Sequence, residues 1–172
     1  GTGAVAIDGN ITFTGTNTYS GLTTISTGSS LTFGGTGSIQ GNVANSGTLQ
    51  FAGTGTSTFG GEISGSGAVE QVSGTTVLTG TSSYTGGTTI SGGTLRLGVG
   101  GNLALTGAVT VTGGTFDLDG NAQTIGALSG TSGTVALGNG GVLTVDQSSN
   151  TSFAGVIAGD GSLIKAGSGT LV

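Results

Sequence analysis

The chain has 172 residues, 41 of them Gly, with no Pro, Cys, Met, Trp or His, and a net charge of −5 from seven acidic residues against Arg96 and Lys165. So few cations leave no basic surface to neutralise phosphates, which excludes nucleic acid as a partner. No segment approaches the length of apolar run that spans a bilayer, and no basic amphipathic helix is present, so direct membrane insertion is not expected; without Cys, the protein is compatible with either redox compartment, export included.

A Gly content this high raises disorder as a possibility, but 33% of the residues are hydrophobic. They fall as Val, Leu, Ile and Phe at alternating positions, the period of a strand with one buried face. The absence of Pro leaves every residue able to donate to a ladder. In sequence order the alternation gives the triplets Val5-Ala6-Ile7, Leu31-Thr32-Phe33, Leu49-Gln50-Phe51 and Val69-Glu70-Gln71. Then come Leu95-Arg96-Leu97, Phe116-Asp117-Leu118, Leu143-Thr144-Val145 and Leu163-Ile164-Lys165. Read as one strand per turn, this column predicts an all-β solenoid of about eight rungs, each of roughly 20–25 residues. The outer members of each triplet are expected to point inward and the middle one to solvent. Full burial of an aliphatic or Phe residue contributes roughly 1.5 to 3 kcal/mol, which makes the interior stack the main favourable term.

The same column places Glu70, Arg96 and Asp117 at the outward positions of consecutive rungs, with Arg96 between two carboxylates as a ladder that fixes register. An enzyme needs more than this. With no His and a single Arg and Lys, a glycan-active site would have to gather Glu62, Glu70, Asp117, Asp119 and Asp146 from distant rungs. Asp117 and Asp119 flank Leu118 on one strand but lack the further ligands of a calcium loop, so a solvated face is expected, with no metal and no cofactor. A flat threonine array of the kind ice-binding solenoids present is not expected either, because Thr23-Thr24 and Thr88-Thr89 lie several rungs apart. The sequons at Asn10 and Asn150 are short motifs in a Thr/Ser-rich sequence, and no glycan is expected on them.

The sequence also repeats itself. The phrase FTGTNTYSGLTTI, Phe13 to Ile25, returns as LTGTSSYTGGTTI, Leu78 to Ile90, so that Tyr19 answers Tyr84, Gly21 answers Gly86 and Thr23-Thr24-Ile25 answers Thr88-Thr89-Ile90. One extra residue then enters the first copy before Leu31. A second phrase, Phe-x-Gly-x-Ile-x-Gly-x-Gly, runs from Phe59 to Gly67 and again from Phe153 to Gly161. The organisation expected is therefore one solenoid over residues 1–172 with repeats 1–64, 65–158 and a partial third over 159–172. The segment 99–139 lacks a clear counterpart; it is expected to add one rung and a protruding loop, the first place to look for a recognition surface. Packing at a corner or in an aromatic ladder, rather than sugar binding, is the reading for Tyr19 and Tyr84, and Phe59 and Phe153 are the equivalent aromatic positions of the second phrase.

The Tyr-x-Gly-Gly-Thr-Thr-Ile core followed by Gly-Thr-Leu-x-Leu resembles the passenger-associated transport repeat of bacterial autotransporters, the surface proteins of type V secretion. The resemblance implies a right-handed parallel β-helix. It implies a non-catalytic shaft of a secreted or cell-surface adhesin, anchored to the outer membrane through another part of the protein, whose folding rung on rung helps draw the polypeptide outward. The partners expected on that basis are flanking repeats or other copies of the same protein, and a host or matrix glycan or protein. The competing expectations are a subunit of an extracellular filament and a glycan-active β-helix enzyme. Gly1 enters in nearly the phase of Gly65, whereas Val172 stops in the phase of Leu78, part-way through a unit, which fits an excerpt of a longer repeat protein better than a head-to-tail filament.

Overall fold

The computed structural model describes residues 1–172. The first turn holds β1 (Val5–Ile7) and β2 (Asn10–Phe13), the second β3 (Thr23–Ile25) and β4 (Ser30–Gly35), and the third β5 (Val43–Asn45) and β6 (Thr48–Phe59). The fourth carries β7 (Ile63–Ser64) and β8 (Ala68–Leu78), the fifth β9 (Thr88–Ile90) and β10 (Thr94–Leu97), and the sixth β11 (Ala108–Val111) and β12 (Thr115–Asp117). The seventh carries β13 (Ala122–Ile125), β14 (Ala127–Ser129) and β15 (Thr134–Gly138); β16 (Val142–Asp146), β17 (Val156–Gly159) and β18 (Ser162–Ala166) complete a parallel β-solenoid of about eight turns.

Three faces run the length of the stack. The first is β1, β3, β5 and β7, continued through a bridge from Ile63 to Ser82 and, further on, by β13, β16 and β18. The second is β2, β4, the first half of β6, the first half of β8, β9, β11 and β14. The third is formed by the second halves of β6 and β8, then β10, β12, β15 and β17. The turn length is read from the register: Thr23 pairs with Val43, Leu49 with Val69 and Leu143 with Leu163 in the turn that follows. β6 and β8 are long because they pass through the corner between the second and third faces, where their pairing slips at Ala52.

The interior is a single cluster of 27 buried apolar residues. Alternation decides which residues enter it: Leu31 and Phe33 are buried while Thr32 between them faces out, and the same holds at Leu95, Arg96 and Leu97. Phe13, Phe33 and Phe51 are register partners on the second face, and Phe59 joins them from the third, with ring centroids 5.6 to 6.4 Å apart. That column stops at Gln71, the partner of Phe51, whose amide donates to the carbonyls of Ser73 and Gly74 across the corner.

One stretch of the first face has neither strand nor bridge. Residues 98–107 cross it as a loop, yet Leu103 still enters the core. The Leu103 amide donates to Gln123 Oε1 at 2.9 Å and its carbonyl accepts from Gln123 Nε2 at 3.1 Å, so a glutamine amide stands in for the missing neighbouring peptide. A buried backbone pair left open would cost far more than the glutamine does.

Three expectations do not hold. The triplets do not form one column: Val5-Ala6-Ile7, Leu143-Thr144-Val145 and Leu163-Ile164-Lys165 belong to the first face. The triplets at Leu31, Leu49 and Val69 belong to the second, and those at Leu95 and Phe116 to the third. Lys165 occupies the register place of inward Val145 but lies exposed on the final strand, its ammonium donating to the carbonyls of Ala166 and Gly167. Residues 99–139 carry β11 to β15 in two turns of ordinary length, rather than one rung and a protruding loop.

Candidate functional site

The two copies of the Tyr-containing phrase adopt the same local structure. Tyr19 shares a 2.8 Å hydrogen bond with Thr23, and Tyr84 pairs with Thr88 in the same way. In both copies Thr-Thr-Ile forms a strand with its first and third residues buried and its middle one exposed. Gly21 and Gly86 lie against the backbone one turn below, where an added Cβ would come within 2.2 Å of the Gly3 carbonyl oxygen and 2.5 Å of that of Gly67. The motif is thus a corner plug: a tyrosine that fills the bend, a glycine that admits the neighbouring backbone, and a threonine that satisfies the phenol.

The second phrase has an equally local reason. The rings of Phe59 and Phe153 fold over the glycine two residues on, so that a Cβ at Gly61 or Gly155 would meet the ring tip at 3.0 or 2.4 Å. Gly65 and Gly159, at φ +101° and +112°, take a backbone conformation that other residues avoid. Phe59 is buried and Phe153 partly so.

The copies do not stack on one another. Thr23 lies in β3 on the first face and Thr88 in β9 on the second. At the turn length set by the register, the offset of 65 from Tyr19 to Tyr84 is three turns plus one face. The offset of 94 is four turns plus two faces, which carries Phe59, at the end of β6 on the third face, to Phe153, which bridges Gly130 after β14 on the second. The sequence repeat therefore rotates around the axis, and each copy is a corner with its two flanking strands rather than one full turn.

Of the outward charges, Arg96 and Asp117 come together and Glu70 does not join them. Arg96 Nε donates to Asp117 Oδ2 at 2.7 Å between β10 and β12. The carboxylate holds the Arg96 guanidinium above its ordinary pKa by that hydrogen bond first and by charge second. Glu70 is on the second face, where its partner is Thr89 and its carboxylate accepts from Gln50 Nε2 at 2.9 Å. The placement of Arg96 between two carboxylates fails because Val69-Glu70-Gln71 and Leu95-Arg96-Leu97 are on different faces. Since Arg96 is 42% exposed, its pair is worth little. A double-mutant cycle is expected to give about 0.5 kcal/mol between Arg96 and Asp117, fading with added salt, and no coupling between Arg96 and Glu70.

Glu62, Glu70, Asp117, Asp119 and Asp146 are distributed over all three faces, and no three His, Cys, Asp or Glu residues form a group suited to a metal. Asp117 is further engaged through Oδ1, which accepts from the Asp119 amide at 2.9 Å, while Asp119 takes a positive φ of 49° at the corner. A groove of about 350 Å³ runs along the corner of the first three turns, lined by Thr, Ser and Gly without a single charged or apolar residue. The groove offers hydroxyls and backbone alone.

A threonine ladder that sequence reading missed lies on the third face. Thr56, Thr75, Thr94, Thr115 and Thr134 are successive register partners. Their near-constant separation was the available signal, hidden because the adjacent Thr pairs are the more conspicuous pattern. The neighbouring outward column reads Thr58, Val77, Arg96, Asp117 and Ala136, so the hydroxyl rank is one residue wide.

Tyr84 is fully buried, and desolvation pushes its phenol up to about 12, against the smaller lowering effect of the Thr88 hydrogen bond. A raised pKa in the fold means that the neutral phenol is stabilised. This contribution is complete below the unfolded value of 10.0 and is lost as pH rises from there through about 12. Tyr84→Phe is expected to cost about 1–2 kcal/mol at neutral pH, through the orphaned Thr88 hydroxyl, and to flatten the alkaline limb of an unfolding curve measured by circular dichroism. An unchanged alkaline limb would contradict this assignment.

These features define a Gly-rich parallel β-solenoid assembled from portable corner units. Residues 8–32 and 73–97, which include both tyrosine corners, match the family described as passenger-associated-transport-repeat. Together with the solenoid, the two matches fit an autotransporter passenger repeat domain, a kind of repeat that implies secretion or surface exposure. No curated protein and no solved structure matches the sequence.

Proposed function

We propose that these residues are a stiff, non-catalytic shaft segment of a cell-surface adhesin, anchored at the outer membrane through another part of the protein. The reading rests chiefly on one observation: the two transport repeats sit within ladders that continue from turn to turn, while the carboxylates are dispersed. A shaft acts by geometry, projecting a binding tip and resisting extension because every turn is bonded to the next. Partners on this reading are flanking repeats or other copies along the axis, and a host or matrix glycan or protein at the tip.

The test is adhesion by cells displaying the complete parent protein. Changing Glu62, Glu70, Asp117, Asp119 and Asp146 to their amides is expected to leave adhesion intact, whereas deleting a whole turn between equivalent register positions shortens the shaft and lowers it. Polysaccharide cleavage that disappears with those carboxylates would replace the shaft by an enzyme. Adhesion indifferent to shaft length, with purified protein elongating end to end, would favour a filament subunit.

A further inference from the structure

Eight asparagines punctuate the sequence. Seven are held by hydrogen bonds through their amide groups: Asn10 and Asn17 near the first turn, Asn42 and Asn45 in the third, and Asn102, Asn121 and Asn150 beyond. Asn139 is the exception. It is exposed at the bend after β15, its amide group has no hydrogen-bond partner, and it is the one asparagine followed by glycine. The Gly140 amide donates to no carbonyl, and its Cα faces open space, with no atom within 4 Å of an added Cβ.

We propose that Asn139-Gly140 is a site of spontaneous deamidation. The Gly140 nitrogen attacks Asn139 Cγ and loses its proton, the Cγ–Nδ2 bond breaks, and the amide nitrogen leaves as ammonia, closing a five-membered imide. Water then opens the imide at either carbonyl, giving an aspartyl or an isoaspartyl residue. Glycine permits the ring closure because nothing on its Cα obstructs the attacking nitrogen. Where the asparagine amide is held, as at Asn45 between the Ala68 carbonyl and the Gly47 amide, the carbon cannot turn toward the following nitrogen.

The place of this reaction gives it a consequence for the shaft. Gly138 is the register partner of Gly159, and its Cα lies against Asp119 in the turn below, so Asn139 occupies a corner between Asp119-Gly120 and Asp160-Gly161. Asn139 is the neutral member of that series. Deamidation adds a third carboxylate in adjacent turns spaced about 4.8 Å apart, where like charges repel. The isoaspartyl product also lengthens the backbone by one carbon at the bend that leads into β16. The Asp119-Gly120 pair is better protected, since the Gly120 amide donates to the Leu137 carbonyl at 3.2 Å.

The experiment follows the purified folded protein through prolonged incubation at mildly alkaline pH, with intact mass, anion-exchange retention and peptide fragmentation after cleavage at Arg96 and Lys165. The expected first event is a one-dalton gain at residue 139, with both aspartyl and isoaspartyl products and a charge one unit more negative than −5. Asn139→Gln removes that first event, and Gly140→Ala slows it several-fold, with circular dichroism unchanged in the glutamine variant. A first gain at any of the seven bonded asparagines would overturn the proposal. So would a folded protein that stays unmodified at residue 139 while the denatured form reacts there.

Discussion

Phe33→Ala is expected to be the most damaging single core change, lowering the free energy of unfolding by about 4 kcal/mol in a urea titration. Phe33 is buried at the centre of the aromatic column, with ring centroids 6.4 Å from Phe13, 5.6 Å from Phe51 and 6.2 Å from Phe59. Its removal forfeits the transfer of a large apolar group and leaves a void that three rings on a hydrogen-bonded scaffold cannot collapse to fill. Because each turn of a solenoid touches only its neighbours, the loss is expected to concentrate in the first four turns. Hydrogen exchange should therefore accelerate in β2, β4 and β6 well before β13, β16 and β18. Uniform acceleration from end to end would show that the turns are coupled more globally than nearest-neighbour stacking provides.

The second large effect comes from adding a single methyl group. Gly101 turns the backbone from the third face to the first, and an added Cβ would sit 1.9 Å from the Leu78 carbonyl oxygen and 2.6 Å from its carbon. The obstruction is backbone, which cannot swing aside, so Gly101→Ala must separate adjacent turns at the place where Leu103 enters the core. A loss of about 3 kcal/mol is expected from this overpacking. Gly55→Ala is the matched control: nothing lies within 4 Å of a Cβ there, and its φ is not positive. It should be within about 0.5 kcal/mol of the parent. Equal effects at the two positions would mean that backbone entropy, rather than close approach, accounts for the glycine content.

Strand pattern was legible because it is a local property. Leu31-Thr32-Phe33 and Leu95-Arg96-Leu97 announce one inward face by alternation alone, and both bury their outer members. The face to which a triplet belongs was not legible, because all three faces use the same alphabet of Val, Leu, Ile, Phe and Thr. The step from Val5 to Leu31 is one turn plus a change of face, and nothing in the sequence separates those two parts. Glu70 was placed beside Arg96 for that reason. The offset between Tyr19 and Tyr84 held the missing information, since it is not a whole number of turns.

The candidate functional features divide in the same way. The Tyr19 and Tyr84 corners were visible as a motif, but the bonds to Thr23 and Thr88 that explain it reach across a bend and required coordinates. Gln123 gave no signal at all. Its role depends on Leu103, one turn below, lacking a strand partner. Glutamine and asparagine amides that substitute for backbone in this manner are recognisable only after register is known.

The register partners Glu70 and Thr89 stand one full turn apart on one face, so that the sequence repeats rotate from face to face. Pyrene excimer fluorescence tests it directly, because the protein has no native cysteine to compete with introduced ones. Glu70→Cys with Thr89→Cys labels adjacent outward positions on the second face, while Glu70→Cys with Arg96→Cys labels positions on different faces. Excimer emission is expected from the first pair, persisting on dilution with unlabelled protein, and monomer emission from the second. Excimer emission from the Glu70 and Arg96 pair alone would restore a single column of triplets and contradict the rotating solenoid.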